Sequence, residues 1–251
     1  GGAGIDSALA FPWLVDAGYR VISVSRPGYY GVPLEAAESL EAQADLYARV
    51  LQEIGVVGPV HVFGISAGGP TALHFATRHS ARSLLLWCAI TGPYRMNQES
   101  LDSVLGRLIL SPRGQAVISW TLSRSARWFP SSIMKMFLGT ESLLSKAEIR
   151  QITNETLSVP AHRVRFRQFV DSTTPMTEIY EGMMDEVGKM TSEWSVDWPN
   201  LVAPTMAVAS TEDKDVSPDH IERIEAKVPG ARVLKVRAGD TLYGGVTKGS
   251  R

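Results

Sequence analysis

The sequence predicts an α/β protein, a mostly parallel, doubly wound sheet interrupted by a helical insertion. Short runs rich in Val, Ile and Leu alternate with longer stretches of helical period, which is the pattern of strands joined by crossover helices. A run of about a hundred residues then carries helical pattern and no convincing strand. The third observation is local: "VFGISAGGP" at 62–70 places a serine between two glycines directly after an apolar run.

The strands are read in chain order. "YRVISVS" (19–25), "PVHVFG" (59–64), "RSLLLWCAI" (82–90), "PTMAVAS" (204–210) and "ARVLKV" (231–236) have the β-branched, apolar composition of strands buried on both faces. Between the first two, Leu40, Ala44, Tyr47, Leu51 and Ile54 repeat at intervals of four and three, and Gly55 supplies a stop. A helix between two buried strands is a parallel crossover. The insertion includes "MNQESLDSVLGRLIL" and "SKAEIRQITNETL" as clear helical pieces. Its methionines, Met134, Met136, Met176, Met183, Met184 and Met190, read first as fillers between helices and second as the lining of an adaptable pocket.

Composition narrows the function classes. A chain of 251 residues that is 44% hydrophobic and 20% charged can bury one large core, with or without an inserted subdomain. With a formal charge of −1 and no long basic block there is no electrostatic case for nucleic acid, so a small molecule is the expected partner. Cys88 is the single cysteine, which excludes an intrachain disulfide; its apolar setting, "SLLLWCAI", reads as buried packing. No unbroken apolar stretch reaches the roughly 18–20 residues of a membrane span.

A parallel sheet exposes the carboxyl ends of its strands as a ligand site, and Ser66 stands at one of them. A nucleophile raised on a tight strand-to-helix turn needs neighbours without a β-carbon, here expected to be Gly64 and Gly68, so that strand and helix can approach. Gly69-Pro70 opens the helix "PTALHFATRH", whose free N-terminal amides face the place where an oxyanion would develop. The bare Gly-x-Ser-x-Gly pattern recurs by chance in roughly one of six such chains, so its strand-to-helix setting carries the weight.

With these residues in view, the chain resembles the α/β-hydrolase superfamily. "GGAG" at 1–4 is similar to the tail of that family's oxyanion loop, and "GYRVISVSRPGYYG" to a strand and Arg-Pro-Gly-Tyr turn. "QADLYARVLQEIGVVGPVHVFGISAGGPTALHFATRH" resembles the core, and "APTMAVASTEDKDVSP" the later strand and acid loop. The resemblance implies a hydrolase core at 1–92 and 200–251 with a helical cap at 93–199. Truncation is expected at the N-terminus, with the C-terminus a second candidate, and lost covering elements would lower the solubility of this chain.

Residue by residue, the resemblance makes Ser66 the nucleophile and gives Ala67 and Gly2 the oxyanion-hole amides. Asp213, in Asp213-Lys214-Asp215-Val216, becomes the acid, with Glu212 and Asp215 as neighbours on an exposed loop. Arg26 reads as scaffold. The family's catalytic histidine belongs just after the last core strand, where this chain has "VRAGDTLYGG" (236–245), with Asp240 or Thr241 at the expected position. Neither side chain replaces imidazole as a base at neutral pH. Of the five histidines, His61, His74 and His79 read as strand or helix residues, and His162 and His220 as remote candidates.

Two functions follow. The first is a serine hydrolase of an ester or related acyl compound, acting through a Ser66 acyl-enzyme, with the expected histidine absent. The second is a non-catalytic protein that binds a small apolar ligand on the same scaffold. The resemblance implies no cofactor and no metal, a small apolar acyl substrate and a cytoplasmic location. Serine at 66 disfavours the dehalogenating and epoxide-opening branches, which need a carboxylate there.

Overall fold

The computed structural model describes residues 12–95, 111–172 and 175–237. Four strands, β1 (Val60–Ile65), β2 (Ala81–Trp87), β3 (Thr205–Ser210) and β4 (Arg232–Val236), form one parallel sheet in the order β1-β2-β3-β4. Each matches an apolar run read in the sequence. Helix α1 (Pro12–Asp16) lies near the start and α2 (Leu40–Glu53) precedes β1; α3 (Gly69–Arg78) links β1 to β2 and α9 (Asp219–Lys227) links β3 to β4. Ser39 begins α2 by accepting the Ala42 N–H at 3.1 Å, satisfying one of the amides a helix start leaves free.

The segment 19–25 differs from its reading. It forms no strand among the described residues, although the Tyr19 ring meets the His61 ring on β1 edge-on at 5.7 Å. Residue composition favours extended backbone, but a strand exists only where a neighbour completes its ladder.

Among the described residues five α-helices stand between β2 and β3: α4 (Pro112–Trp128), α5 (Pro130–Glu141), α6 (Lys146–Ser158), α7 (Pro160–Ser172) and α8 (Tyr180–Thr191). The sequence stretch "SKAEIRQITNETL" becomes α6, opened by a capping box in which Ser145 and Glu148 satisfy each other's backbone amides. The stretch at 96–110 lies outside the described residues. Three apolar clusters hold the described structure together, the two larger of which define its layers. Leu73 and Ala76 of α3, Leu84 and Leu86 of β2, Ala207 of β3 and Ile221 and Ile224 of α9 join sheet to helices. Ala126, Met134, Leu138, Ile149, Phe166 and Val170 form a separate core within the insertion. Met134 is fully enclosed there and Met190 buries against Ile90 and Val216, whereas Met136 and Met184 are exposed.

A turn of the sheet layer fixes one insertion helix. Gly28, at φ +79°, approaches Gly182 of α8 so closely that a β-carbon on Gly28 would lie 2.4 Å from the Gly182 Cα. The backbones bond directly, Gly182 N–H to the Gly28 carbonyl at 3.1 Å and Tyr30 N–H to the Glu178 carbonyl at 2.9 Å. Only side-chain-free residues permit that approach.

Candidate active site

The corner after β1 is a single 3-10 turn, Ser66–Gly68, running straight into α3. Ser66 sits at φ +47°, a conformation that a residue with a β-carbon adopts at a cost of about 1–3 kcal/mol. Its carbonyl receives two N–H groups, from Gly69 at the end of the turn and from Ile90 at 3.1 Å. Because C=O and N–H point oppositely across one peptide plane, a pinned Ser66 carbonyl also fixes the direction of the Ala67 N–H. The next carbonyl, that of Ala67, accepts Arg26 Nη1 at 2.8 Å.

The glycines around the corner divide differently from the sequence reading. A β-carbon at Gly64 would lie 2.7 Å from the Ala72 Cβ, and one at Gly69 would lie 2.3 Å from the Ile90 carbonyl oxygen. One at Gly68 would meet nothing within 4 Å. The close approach therefore belongs to Gly64 and Gly69, and Gly68 borders open space.

Arg26 does more than close its own turn. Its Nε lies 2.5 Å from Glu186 Oε1 on α8, and the Tyr29 hydroxyl donates to Glu186 Oε2 at 2.6 Å. Arg26 and Glu186 are 6% and 5% exposed, so the pair is effectively out of water. Burial raises the Glu186 carboxyl, opposed by the Arg26 charge and the Tyr29 hydrogen bond. The network thus ties the Ala67 carbonyl, the 26–31 turn and α8 together.

Asp213 lies just beyond β3, at the same carboxyl edge of the sheet as Ser66. Its Oδ1 accepts the Asp215 and Val216 amides at 2.9 Å each. Burial raises its carboxyl above the usual range, partly offset by those amides. Val216 buries with Ile90 and Met190, and Ala67, Tyr94 and Trp194 pack against them, so the serine corner and the acid loop share one apolar cluster.

Two neighbours of Asp213 differ from their sequence reading. Cys88, at φ +42° just past β2, is half-buried and hydrogen-bonds the Asp213 carboxylate. Burial and then the Asp213 charge push its thiol up to about 12, so it is a proton donor there and an unreactive nucleophile. Simple packing does not describe it. Asp215 likewise is half-buried and accepts the Tyr94 hydroxyl, in contrast to the exposed loop expected, while Glu212 leaves its carbonyl to the Leu143 N–H at 2.8 Å. A cavity of about 20 Å³ lies between Cys88, Asp213 and His220, room for one water and too small for a substrate.

The insertion reaches this loop through α5. Ser142 and Asp213 form an antiparallel bridge, and the Lys214 N–H bonds the Glu141 carbonyl at 3.1 Å. Crowding by protein atoms, then the charges of Asp215 and Asp213, raise the Glu141 carboxyl to about 7. A raised folded-state value favours the neutral form, so this contribution to stability is complete below the ordinary carboxyl value of 4.5 and is lost as pH rises through about 7. Glu141→Gln should therefore gain stability over the parent at about pH 8, and not at about pH 4. Because Glu141 is exposed, screening holds the gain to about 1 kcal/mol. Urea melts at both pH values check this, and equal differences at the two would refute it.

Four histidines have partners elsewhere. His61 Nδ1 meets Ser83 Oγ at 2.7 Å, His79 Nε2 meets Asp45 at 2.8 Å, and His74 lies 3.6 Å from Glu41. His220 is buried on α9, where its Nδ1 accepts the Thr91 N–H at 3.0 Å and burial holds its pKa below the ordinary value. His162 is half-buried on α7. Among the described residues no histidine hydrogen-bonds Ser66 or Asp213. Gly2, Asp240 and Thr241 lie outside the described residues.

Comparison with known proteins adds to this geometry. The sequence profile of the Alpha/beta hydrolase family matches residues 2–242. The chain belongs to that family. This α/β-hydrolase is 24% identical over 220 residues to "Uncharacterized hydrolase YcgS" of Bacillus subtilis (strain 168), covering 87% of this chain and 74% of that protein. Its fold is similar to an alpha/beta hydrolase fold protein from Nakamurella multipartita, with a TM-score of 0.77, 23% identity, and coverage of 96% of this chain and 83% of the other. An esterase from Exiguobacterium antarcticum superposes with a TM-score of 0.57 at 16% identity, covering 94% of this chain and 80% of that one. Among the described residues no helix is long and apolar enough to cross a membrane.

Proposed function

We propose that this α/β-hydrolase is a serine hydrolase of small, apolar esters or related acyl compounds. The observation that carries the reading is Ser66 itself, held at φ +47° at the carboxyl edge of a parallel sheet with its own carbonyl and that of Ala67 pinned. Strain of that kind persists where the surroundings impose it, and a nucleophile presented toward a cleft is the use that fits. The reading divides the chain into a core at 1–92 and 200–251 and a cap at 93–199, in a cytoplasmic protein.

In the proposed reaction Ser66 Oγ attacks the acyl carbonyl while a base takes its proton. The tetrahedral oxyanion is held by the Ala67 amide and, from outside the described residues, the Gly2 amide. Collapse expels the alcohol, which takes up the proton, and water then releases the acid by the same steps in reverse roles. Asp213 would orient the base. That base is the part for which the sequence offers Asp240 or Thr241 in place of histidine.

A second reading, a non-catalytic binder of small apolar ligands, is favoured by one observation. The Asp213 carboxylate is occupied by Cys88 and two backbone amides, with no histidine beside it among the described residues. Hydrolysis of p-nitrophenyl esters by the parent chain, Asp240→His and Thr241→His separates the two. Restored turnover in one histidine variant, abolished again by Ser66→Ala, supports the hydrolase. Ester binding without turnover in all of them supports the binder.

A further inference from the structure

We propose that the outer face of α4 and the start of α5 form a docking surface for an anionic phospholipid bilayer. On α4, Val117, Trp120, Arg124, Arg127 and Trp128 recur at spacings of three, four, three and one, which places them on one side of the helix. All are exposed: Val117 is 66%, Trp120 64% and Trp128 73% open, and Phe129, at the junction with α5, 65%. Two indoles and a phenyl ring left in water within ten residues of chain form an apolar patch that calls for a partner.

Charge selects which partner. From Gly114 to Thr140 the chain carries Arg124, Arg127 and Lys135 and no acidic residue, within a protein of formal charge −1. The Arg124 guanidinium stacks over the Trp120 ring at 4.9 Å, so the cation is presented on the aromatic surface, and among the described residues no carboxylate pairs with it. Helix α7, which packs beside α4, adds exposed Arg165 and Arg167; its single acid, Asp171, lies 3.5 Å from Arg167 and bonds Ser123. Indole rings favour the headgroup depth of a bilayer, where an aromatic body meets a polar layer, and arginines beside them meet lipid phosphates. Such a helix lies in the interface and does not span. Docking there would bring the insertion against a source of apolar acyl compounds, but the surface stands independently of the chemistry at Ser66.

Vesicle flotation tests the proposal with the 251-residue chain, using phosphatidylcholine vesicles with or without phosphatidylglycerol. The expected result is capture by the anionic vesicles only, weakened by added salt and by about ten-fold in each of two double variants, Trp120→Ser with Trp128→Ser and Arg124→Glu with Arg127→Glu. Both variants alter exposed residues, so their melts should match the parent and separate lost docking from lost folding. Ser66→Ala should bind like the parent, whatever its activity. No capture of the parent, or equal capture of parent and variants, would overturn the proposal. So would a dimer by light scattering that the tryptophan variant dissolves, because the face would then belong to a second copy of the chain.

Discussion

Truncating Glu186 to alanine should cost the fold about 3–5 kcal/mol, because it strands the Arg26 guanidinium in a site closed to water. The partners are 6% and 5% exposed, and the second oxygen of the carboxylate accepts the Tyr29 hydroxyl. Removing one member leaves an uncompensated charge, whereas removing both leaves none. Arg26→Met with Glu186→Leu should therefore recover most of the loss. A solvent-facing pair serves as the control: Arg78 and Asp45 meet at 2.6 Å, yet their side chains are 44% and 36% exposed, and Asp45→Asn should cost less than about 1 kcal/mol. Urea melts of the variants measure all of these. A loss at Glu186→Ala no larger than at Asp45→Asn would mean that the buried network does not hold the turn to α8.

The second large effect is expected at Gly69. Alanine there would set its β-carbon 2.3 Å from the Ile90 carbonyl oxygen, a clash of backbone with backbone that no rotamer change relieves. Overpacking of this kind costs about 1–3 kcal/mol and more where the backbone must move. The consequence reaches the serine, since the Ile90 N–H holds the Ser66 carbonyl at 3.1 Å. Gly68→Ala, one residue away, should leave the melting temperature nearly unchanged because its β-carbon enters open space. Similar losses at the two positions would contradict the description of the corner.

The physical range of each contact decides what the sequence could disclose. Strands β1 to β4 were legible because parallel strands covered on both faces are written as continuous apolar runs, and the Gly-x-Ser-x-Gly corner because its backbone demands fall on adjacent residues. The run at 19–25 has the same composition and forms no strand among the described residues, since pairing depends on a neighbour and not on the run itself. Which glycine carries the close approach was misread for a related reason: Gly68 and Gly69 are equivalent in a pattern, and only the Ile90 carbonyl, 21 positions on, tells them apart. Arg26 and Glu186 stand 160 positions apart, and Cys88 meets Asp213 from another strand end. No local period records such contacts.

Covalent labelling addresses the proposed role of Ser66 most directly. A fluorophosphonate should phosphonylate Ser66 of this chain or of its Asp240→His or Thr241→His variants, seen as one added group by intact mass and mapped to the peptide spanning 62–70, with no adduct in Ser66→Ala. Failure to label in every variant, or an adduct at another side chain, would contradict the reading of Ser66 as a nucleophile.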